Sequence, residues 1–88
     1  MKLLQTKKFS NVVKKLHKNQ KQDLDIAVQK IIVDPKIGQQ KTGDLSAVMV
    51  YKFYMVKQLM LLAYSINNDT VTLLALGTHE NFYRDLNA

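Results

Sequence analysis

The sequence predicts an α+β fold in which an antiparallel sheet packs on a helical hairpin, in the order β-α-α-β-β-β followed by a terminal helix. Two amphipathic segments come early in the chain, and their apolar residues recur at three- and four-residue steps. Three runs rich in Val, Leu, Tyr and Phe follow, joined by links of hairpin length. Because an apolar helix face needs a partner to bury against, we expect one face of the sheet to cover the hairpin.

The amino-terminal half supplies a short strand and the hairpin. The strand is expected over residues 2–6. Ser10 is a candidate N-cap of the first helix, and Asn19 is a candidate N-cap of the second. The apolar residues are Phe9, Val13 and Leu16 in the first helix and Leu24, Ala27, Val28, Ile31 and Ile32 in the second. Asp34 precedes Pro35 and ends the second helix, because a residue before proline is disfavoured in the helical region.

The carboxy-terminal half predicts a loop, a meander and a terminal helix. Residues 36–46 are polar and contain glycines, which favours a loop. Residues 79–86 predict a short helix after the last strand. The antiparallel meander is expected to have its strands over residues 47–54, 58–66 and 70–76.

The first strand of the meander divides its side chains between two faces. Tyr51 and Phe53 share one face, and we interpret them as core. Lys52 and Tyr54 share the other face, which we expect to be free. A free face that carries lysine and tyrosine suits RNA, because aromatic rings stack on bases and cations bind phosphates.

Composition limits the classes of protein. With 88 residues and 47% hydrophobic content, residues 1–88 are expected to form one domain. The chain has no cysteine, so His17 and His79 are the only soft metal ligands, and we expect no disulfide, no metal site and no cofactor. The longest apolar stretch, residues 59–64, is too short to span a bilayer, and the amino terminus lacks the pattern of a signal peptide. The expectation is a soluble, cytoplasmic protein without a membrane partner.

The charge is strongly basic and unevenly distributed. The formal net charge is +6, and residues 1–21 contain lysines, among them Lys14 and Lys15, but no acidic residue. Such a block is either a solvated surface or a docking surface for RNA, DNA or an acidic protein. Arg84 is the only arginine, so contacts with phosphate would be made mostly by lysine.

Residues 79–85 concentrate groups that can do chemistry. An imidazole, two carboxylates, a phenol and a guanidinium follow the predicted end of a strand. On a helix His79 and Tyr83 would be neighbours four residues apart. A purely structural terminal helix with a Glu80–Arg84 pair explains the same residues.

The sequence resembles the RelE/ParE superfamily of bacterial toxin–antitoxin toxins over essentially the whole chain. The resemblance is carried by the start at residues 3–9, the hairpin closed by Asp34 and Pro35, the loop KTGDL at 41–45, the strand segments VYKF at 50–53 and LLAY at 61–64, and LGTHENFYRDL at 76–86. The last segment is the most specific, and its Gly-Thr-His block is similar to the YafQ pattern, in which the histidine and an aromatic residue a few positions later are functional.

The resemblance implies a RelE-like fold and a toxin that cleaves mRNA in the ribosomal A site without metal, using the 2′-OH of the RNA as nucleophile. His79 and Tyr83 match the functional positions of that pattern. The chemistry also needs cations, for which Lys52 and Arg84 are candidates at the catalytic site. Lys41, Lys52, Lys14 and Lys15 are candidates for binding RNA phosphates. The expected partners are an acidic antitoxin that covers the hairpin and a sheet edge, mRNA on the ribosome, and operator DNA through the antitoxin only.

Two other functions remain open from the sequence. The ParE branch of the superfamily inhibits DNA gyrase and has no nuclease cluster. The absence of arginine from residues 47–76 favours that branch, whereas histidine followed by tyrosine after the strand favours the nuclease. A plain nucleic-acid-binding module accounts for the basic amino terminus but leaves residues 79–85 unexplained.

Overall fold

A computed structural model describes residues 2–40 and 48–79 of the chain as two helices that lie on one face of a five-stranded sheet. The strands are β1 (Lys2–Gln5), β2 (Gln39–Gln40), β3 (Met49–Met55), β4 (Gln58–Asn67) and β5 (Thr70–Thr78), and the helices are α1 (Lys7–Lys14) and α2 (Lys18–Val33), with a 3₁₀ turn at Pro35–Ile37. In this part of the chain, neither helix combines the length and the apolar character needed to cross a membrane.

The strand order across the sheet is β1-β5-β4-β3-β2. Strands β3, β4 and β5 form the predicted antiparallel meander, which is confirmed. Strand β1 pairs with β5 in parallel, because the chain crosses over one face of the sheet through both helices before it returns. The sheet is therefore antiparallel except for this one pair. Strand β2 covers only the beginning of β3, where it pairs with Met49 and Val50.

Helix α1 begins earlier than predicted, and the expected cap at Ser10 is wrong. Thr6 is the N-cap, and its Oγ1 accepts a hydrogen bond from the Phe9 N–H at 3.1 Å. Ser10 lies within the helix, where its N–H donates to the Thr6 carbonyl. The helix starts directly after β1, where the Thr6 N–H still donates to the Leu73 carbonyl of β5 at 3.0 Å.

Thr6 also connects the helix to an irregularity in the sheet. The register between β4 and β5 shifts at Ala63 and Tyr64, which leaves Leu74 as an extra residue in β5. The Thr6 hydroxyl donates to the Leu74 carbonyl at 3.0 Å, and so this one side chain serves both the cap and the bulge.

The predicted cap at Asn19 is also wrong, because α2 begins at Lys18 with His17 as the N-cap. The His17 N–H donates to Gln20 Oε1 at 2.7 Å. Asn19 lies in the first turn, where its Oδ1 accepts from the Gln20 N–H at 2.9 Å. The predicted end of the helix at Asp34 is confirmed.

Part of the predicted loop has regular structure. The 3₁₀ turn and β2 occupy much of residues 36–40, which were expected to be irregular. The rest of the predicted loop and most of the predicted terminal helix, residues 80–86, lie outside the described residues. His79 is the last described residue and lies in a turn directly after β5.

The core lies between the helices and the sheet. Its buried residues are Phe9, Leu24, Val28, Ile31, Met55, Met60, Leu62, Tyr64, Val71, Leu73 and Leu76. Tyr51 and Phe53 are half-buried and pack against this core, with ring centroids 6.1 Å apart and ring planes 10° from parallel. The interpretation of these two rings as core is confirmed.

Tyr64 fastens the segment after α2 to the core. The side chain is 0% exposed, and its hydroxyl donates to the Pro35 carbonyl at 2.6 Å and accepts from the Gly38 N–H at 3.0 Å. A Cβ atom at Gly38 would lie 2.6 Å from the Tyr64 hydroxyl oxygen, so only glycine fits this approach. Burial raises the pKa of Tyr64 above its ordinary value of 10.0, and the Gly38 hydrogen bond opposes that shift to a smaller extent.

Candidate functional site

The candidate site lies on the face of the sheet opposite the helices, which we call the far face. Val50 and Lys52 alternate with the core-facing Tyr51, and Lys52 pairs with Leu61 of β4. The next far-face residue of β3 is Tyr54, which pairs with Leu59 and is 68% exposed. Lysine and tyrosine therefore occupy successive far-face positions on β3, and both side chains are exposed.

The far face is only partly free, which corrects the expectation from the sequence. Val50, Leu61, Ala63 and Ala75 form a second buried cluster, with Val48 and Leu74 packed against it. The part available to a ligand is the end of the sheet near the β3–β4 turn, where Lys52 and Tyr54 lie. The buried cluster beside it fixes the strands that carry these side chains.

His79 lies at the same end of the sheet. Gly77 of β5 pairs with Leu61, and Thr78 pairs with the core residue Met60. Continuing this alternation by one residue places His79 on the far face, opposite Leu59, and its N–H donates to the Leu59 carbonyl at 3.3 Å. A backbone hydrogen bond thus holds His79 at the end of β5, and the residue is exposed.

The register brings two predicted site residues, Lys52 and His79, into adjacent rows of cross-strand neighbours on the far face. One row contains Lys52, Leu61 and Gly77, and the next contains Tyr54 and Leu59, which His79 continues. Neighbouring strands are about 4.8 Å apart, so the backbones of β3 and β5 are separated by roughly 10 Å. A strip of that width has a cation and an aromatic ring on one side and an imidazole on the other.

A strained turn borders this strip. The β3–β4 turn consists of Val56 and Lys57, whose φ angles are 49° and 70°. Positive φ at both positions is typical of a type I′ turn, which usually contains Asn and Gly, and it is unfavourable for a β-branched residue. Asp23 of α2 stabilises the turn, since its Oδ2 accepts from the Val56 N–H at 2.8 Å. Sequence reasoning identified the hairpin but missed this contact, for which the sequence contains no local signal.

The structure does not bring the other predicted site residues to this strip. Lys14 is the last residue of α1 and Lys15 is its C-cap, so both lie in the helical layer on the opposite side of the sheet, and both are exposed. Lys41, Tyr83 and Arg84 lie outside the described residues. Among residues 2–40 and 48–79, no group of three or more His, Cys, Asp or Glu side chains is arranged to hold a metal ion.

Comparison with curated proteins found no match. Among solved structures, the chain is similar to the intact E. coli RelBE toxin–antitoxin complex, with a TM-score of 0.72 and 15% identity over 88% of this chain and 94% of that chain. It is also similar to the isolated E. coli RelE toxin, with a TM-score of 0.68 and 16% identity over 88% of this chain and 82% of that chain. A conserved hypothetical protein from Helicobacter pylori has a TM-score of 0.58 and 20% identity over 91% of this chain and 96% of that chain. These likenesses show a RelE-like fold.

The family comparison covers nearly the whole sequence. The model that matches describes the ParE-like toxin of type II bacterial toxin–antitoxin systems, and the match extends over residues 3–87. The fold and this match agree, and the chain belongs to the ParE-like toxin family of type II toxin–antitoxin systems.

Proposed function

We propose that this toxin inhibits translation as an endoribonuclease that cleaves mRNA in the ribosomal A site without a metal ion. The observation that carries the proposal is the presence of Lys52, Tyr54 and His79 at one end of the far face. The three side chains provide charge stabilisation, base stacking and proton transfer, which are the functions that RNA cleavage requires. The similarity of the fold to the E. coli RelE toxin supports the same proposal.

The proposed reaction uses the RNA itself as nucleophile. A base removes the proton from the 2′-OH, the 2′ oxygen bonds to the adjacent phosphorus, and the bond from phosphorus to the 5′ oxygen breaks. The products are a 2′,3′-cyclic phosphate and a 5′-OH, whose oxygen receives a proton from an acid. Histidine can perform either transfer near neutral pH, and His79 is assigned one of them.

The remaining groups of the site stabilise charge and position the substrate. Lys52 neutralises the additional negative charge on the phosphate in the transition state. Tyr54 offers an exposed ring on which a base can stack. Tyr83 supplies the second proton transfer or a further stacking surface, and Arg84 and Lys41 bind the phosphates on either side.

The two helical lysines have a different role in this proposal. Lys14 and Lys15 lie in the helical layer, away from the strip, so they cannot contact the phosphate that is cleaved. We assign them to phosphates of the ribosomal RNA that surrounds the A site. Lysine suits this role because it binds phosphate as a point charge without a fixed orientation.

The biological partners follow from the same proposal. The toxin acts in the cytoplasm, where ribosomes are found, and an acidic antitoxin neutralises it. Its contact with operator DNA is made through the antitoxin. The E. coli RelBE complex, which has a similar fold, contains a toxin and an antitoxin together.

Primer extension on mRNA after induction of the toxin tests the proposal. Wild-type protein should produce cuts at defined codon positions, and His79→Gln and Lys52→Ala should remove or strongly reduce them. Lys36→Ala, which changes an exposed lysine in the 3₁₀ turn, is the matched control and should leave the cuts unchanged. Purified toxin alone should be nearly inactive on free RNA, because the ribosome positions the substrate. Rapid cleavage of free RNA, or growth arrest without any cuts, would contradict the proposal.

Inhibition of DNA gyrase is the second candidate function. Residues 47–76 contain no arginine, so the sheet offers fewer cations than a nuclease of this kind would be expected to use. Pulse labelling in cells separates the two functions, because a nuclease stops the incorporation of amino acids first and a gyrase inhibitor stops the incorporation of thymidine first.

A further inference from the structure

A cleft of about 230 Å³ separates α2 from the outer edge of β3. Strand β2 pairs with β3 only at Met49 and Val50, so among the described residues no strand lies outside residues 51–55. Helix α2 passes beside this open part of β3, and the space between them is the cleft. Its lining residues are Asp23, Ile26, Ala27 and Lys30 of α2 and Tyr51, Lys52, Phe53 and Tyr54 of β3.

The cleft opens onto the candidate site. Lys52 and Tyr54 of the far face also belong to its lining, so the cleft continues the strip over the edge of the sheet. The proposed function places the cleaved phosphate on the strip, and the present inference rests on that proposal. RNA bound in this way has its neighbouring nucleotide beside the cleft.

Asp23 contributes a carboxylate to the cleft. Its Oδ2 accepts from the Val56 N–H at 2.8 Å. In the part of the chain that the structure describes, its Oδ1 has no hydrogen-bond partner and no ion pair. The contact with Val56 fixes the carboxylate to the β3–β4 turn, and so the second oxygen is held in place before a ligand binds.

The other walls of the cleft complement a nucleotide. Lys30 and Lys52 provide cations for phosphate. The rings of Tyr51 and Tyr54 provide aromatic surface for a base. A carboxylate accepts hydrogen bonds and donates none, so it favours a base with an exocyclic amino group. Adenine, cytosine and guanine have such a group, whereas uracil presents carbonyl oxygens that a carboxylate repels.

We propose that this cleft binds the base of the nucleotide next to the cleaved phosphate and that Asp23 selects a base with an amino group against uracil. Asp23 Oδ1 would accept from the amino group, the tyrosine rings would pack against the base, and Lys30 would bind the following phosphate. Asp23 is thus a specificity residue of the toxin and takes no part in proton transfer.

Replacement of Asp23 by asparagine tests the selection while it keeps the support of the turn. The amide oxygen can still accept from the Val56 N–H, and the amide NH₂ replaces the second acceptor with a donor. Asp25→Asn is the matched control, because Asp25 is an exposed carboxylate on the same helix that does not line the cleft. Circular dichroism and thermal melting check that both variants are folded.

Cleavage is measured on purified ribosomes with mRNAs in which the nucleotides beside the cleaved bond are varied one at a time. Wild type and Asp25→Asn should cut substrates with an amino-bearing base at one position about tenfold faster than substrates with uracil there. Asp23→Asn should lose this preference and keep those at other positions. An unchanged preference, even with all rates lowered equally, would overturn the role of Asp23. Failure of the wild type to cut any substrate would refute the proposed nuclease and this inference with it.

Binding without ribosomes gives an independent test. The probes are a cytidine and a uridine trinucleotide with 2′-O-methyl riboses, which cannot be cleaved, and cytidine 5′-monophosphate. In NMR titrations of the wild type, the cytidine trinucleotide should shift the amides of Ile26, Ala27 and Lys30 and bind about tenfold more tightly than the uridine one. Lys30→Ala should weaken this binding and Lys36→Ala should not. Shifts confined to the far face, or equally tight binding of the monophosphate, would overturn an RNA subsite in the cleft.

Discussion

Replacement of Tyr64 by phenylalanine should loosen the connection between α2 and the sheet. The change keeps the ring in the core and removes only the hydroxyl, which donates to the Pro35 carbonyl and accepts from the Gly38 N–H. Both backbone groups then lose their partner. Within the described residues, no other core side chain forms a hydrogen bond with the segment from Pro35 to Gly38.

The expected loss follows from the two hydrogen bonds. Each is worth about 0.5 to 1.5 kcal/mol net, so Tyr64→Phe should lower the free energy of unfolding by about 1 to 3 kcal/mol. A loss of 1 kcal/mol lowers the Tm of a domain of this size by roughly 4 to 8 °C. Gly38→Ala should destabilise the same connection, because its Cβ would meet the Tyr64 hydroxyl at 2.6 Å.

Urea denaturation followed by far-UV circular dichroism measures the change. Tyr51→Phe is the matched control, because it removes a hydroxyl from a half-buried tyrosine on the neighbouring strand that makes no comparable backbone hydrogen bond within residues 2–40 and 48–79. The control should stay within about 0.5 kcal/mol of wild type. Equal free energies of unfolding for wild type and Tyr64→Phe would refute the role of this hydroxyl.

The other predictions concern pH, a cap, a turn and the proposed site. Burial raises the pKa of Tyr64 in the folded state, so the contribution of this phenol to the free energy of unfolding should be complete below pH 10 and lost as the pH rises toward the folded-state pKa. Urea denaturation at several pH values should show this loss in the wild type and not in Tyr64→Phe. Thr6→Val should cost about 1 to 2 kcal/mol in urea denaturation, and Thr6→Ser should restore most of it. The double change Val56→Asn with Lys57→Gly should raise the Tm by relieving about 1 to 2 kcal/mol of positive-φ strain, and an unchanged Tm would contradict the strain. His79→Gln should retain the wild-type dichroism spectrum and reduce mRNA cleavage roughly 10²-fold or more, and a folded, fully active variant would remove the histidine from the mechanism.

Local patterns predicted the elements that depend on local information. The spacing of Leu24, Val28 and Ile31 defines the buried face of α2, because a helix repeats every 3.6 residues whatever surrounds it. Alternation along β3 likewise separated Lys52 from Tyr51, and the structure confirms that the first is exposed and the second packs against the core.

The features that were missed depend on contacts between distant parts of the chain. The cap of α1 is Thr6 instead of Ser10 because β1 docks on β5, and nothing near Thr6 in the sequence shows that docking. The Val56–Lys57 turn lacks the asparagine and glycine that usually indicate positive φ. Asp23, which stabilises the turn, is remote in sequence. The proximity of His79 to the row that contains Lys52 requires the register of three strands, which alternation within one strand cannot provide.

The pairing of β1 with β5 has a consequence for the moment at which the toxin matures. Leu3 pairs with Val71, so β1 finds its partner only after β5 has been synthesised. Contacts this far apart in sequence form late, because the intervening chain must be ordered before they are favourable. A nascent toxin therefore can pair β3 with β4 before it can close the β1 side of its sheet.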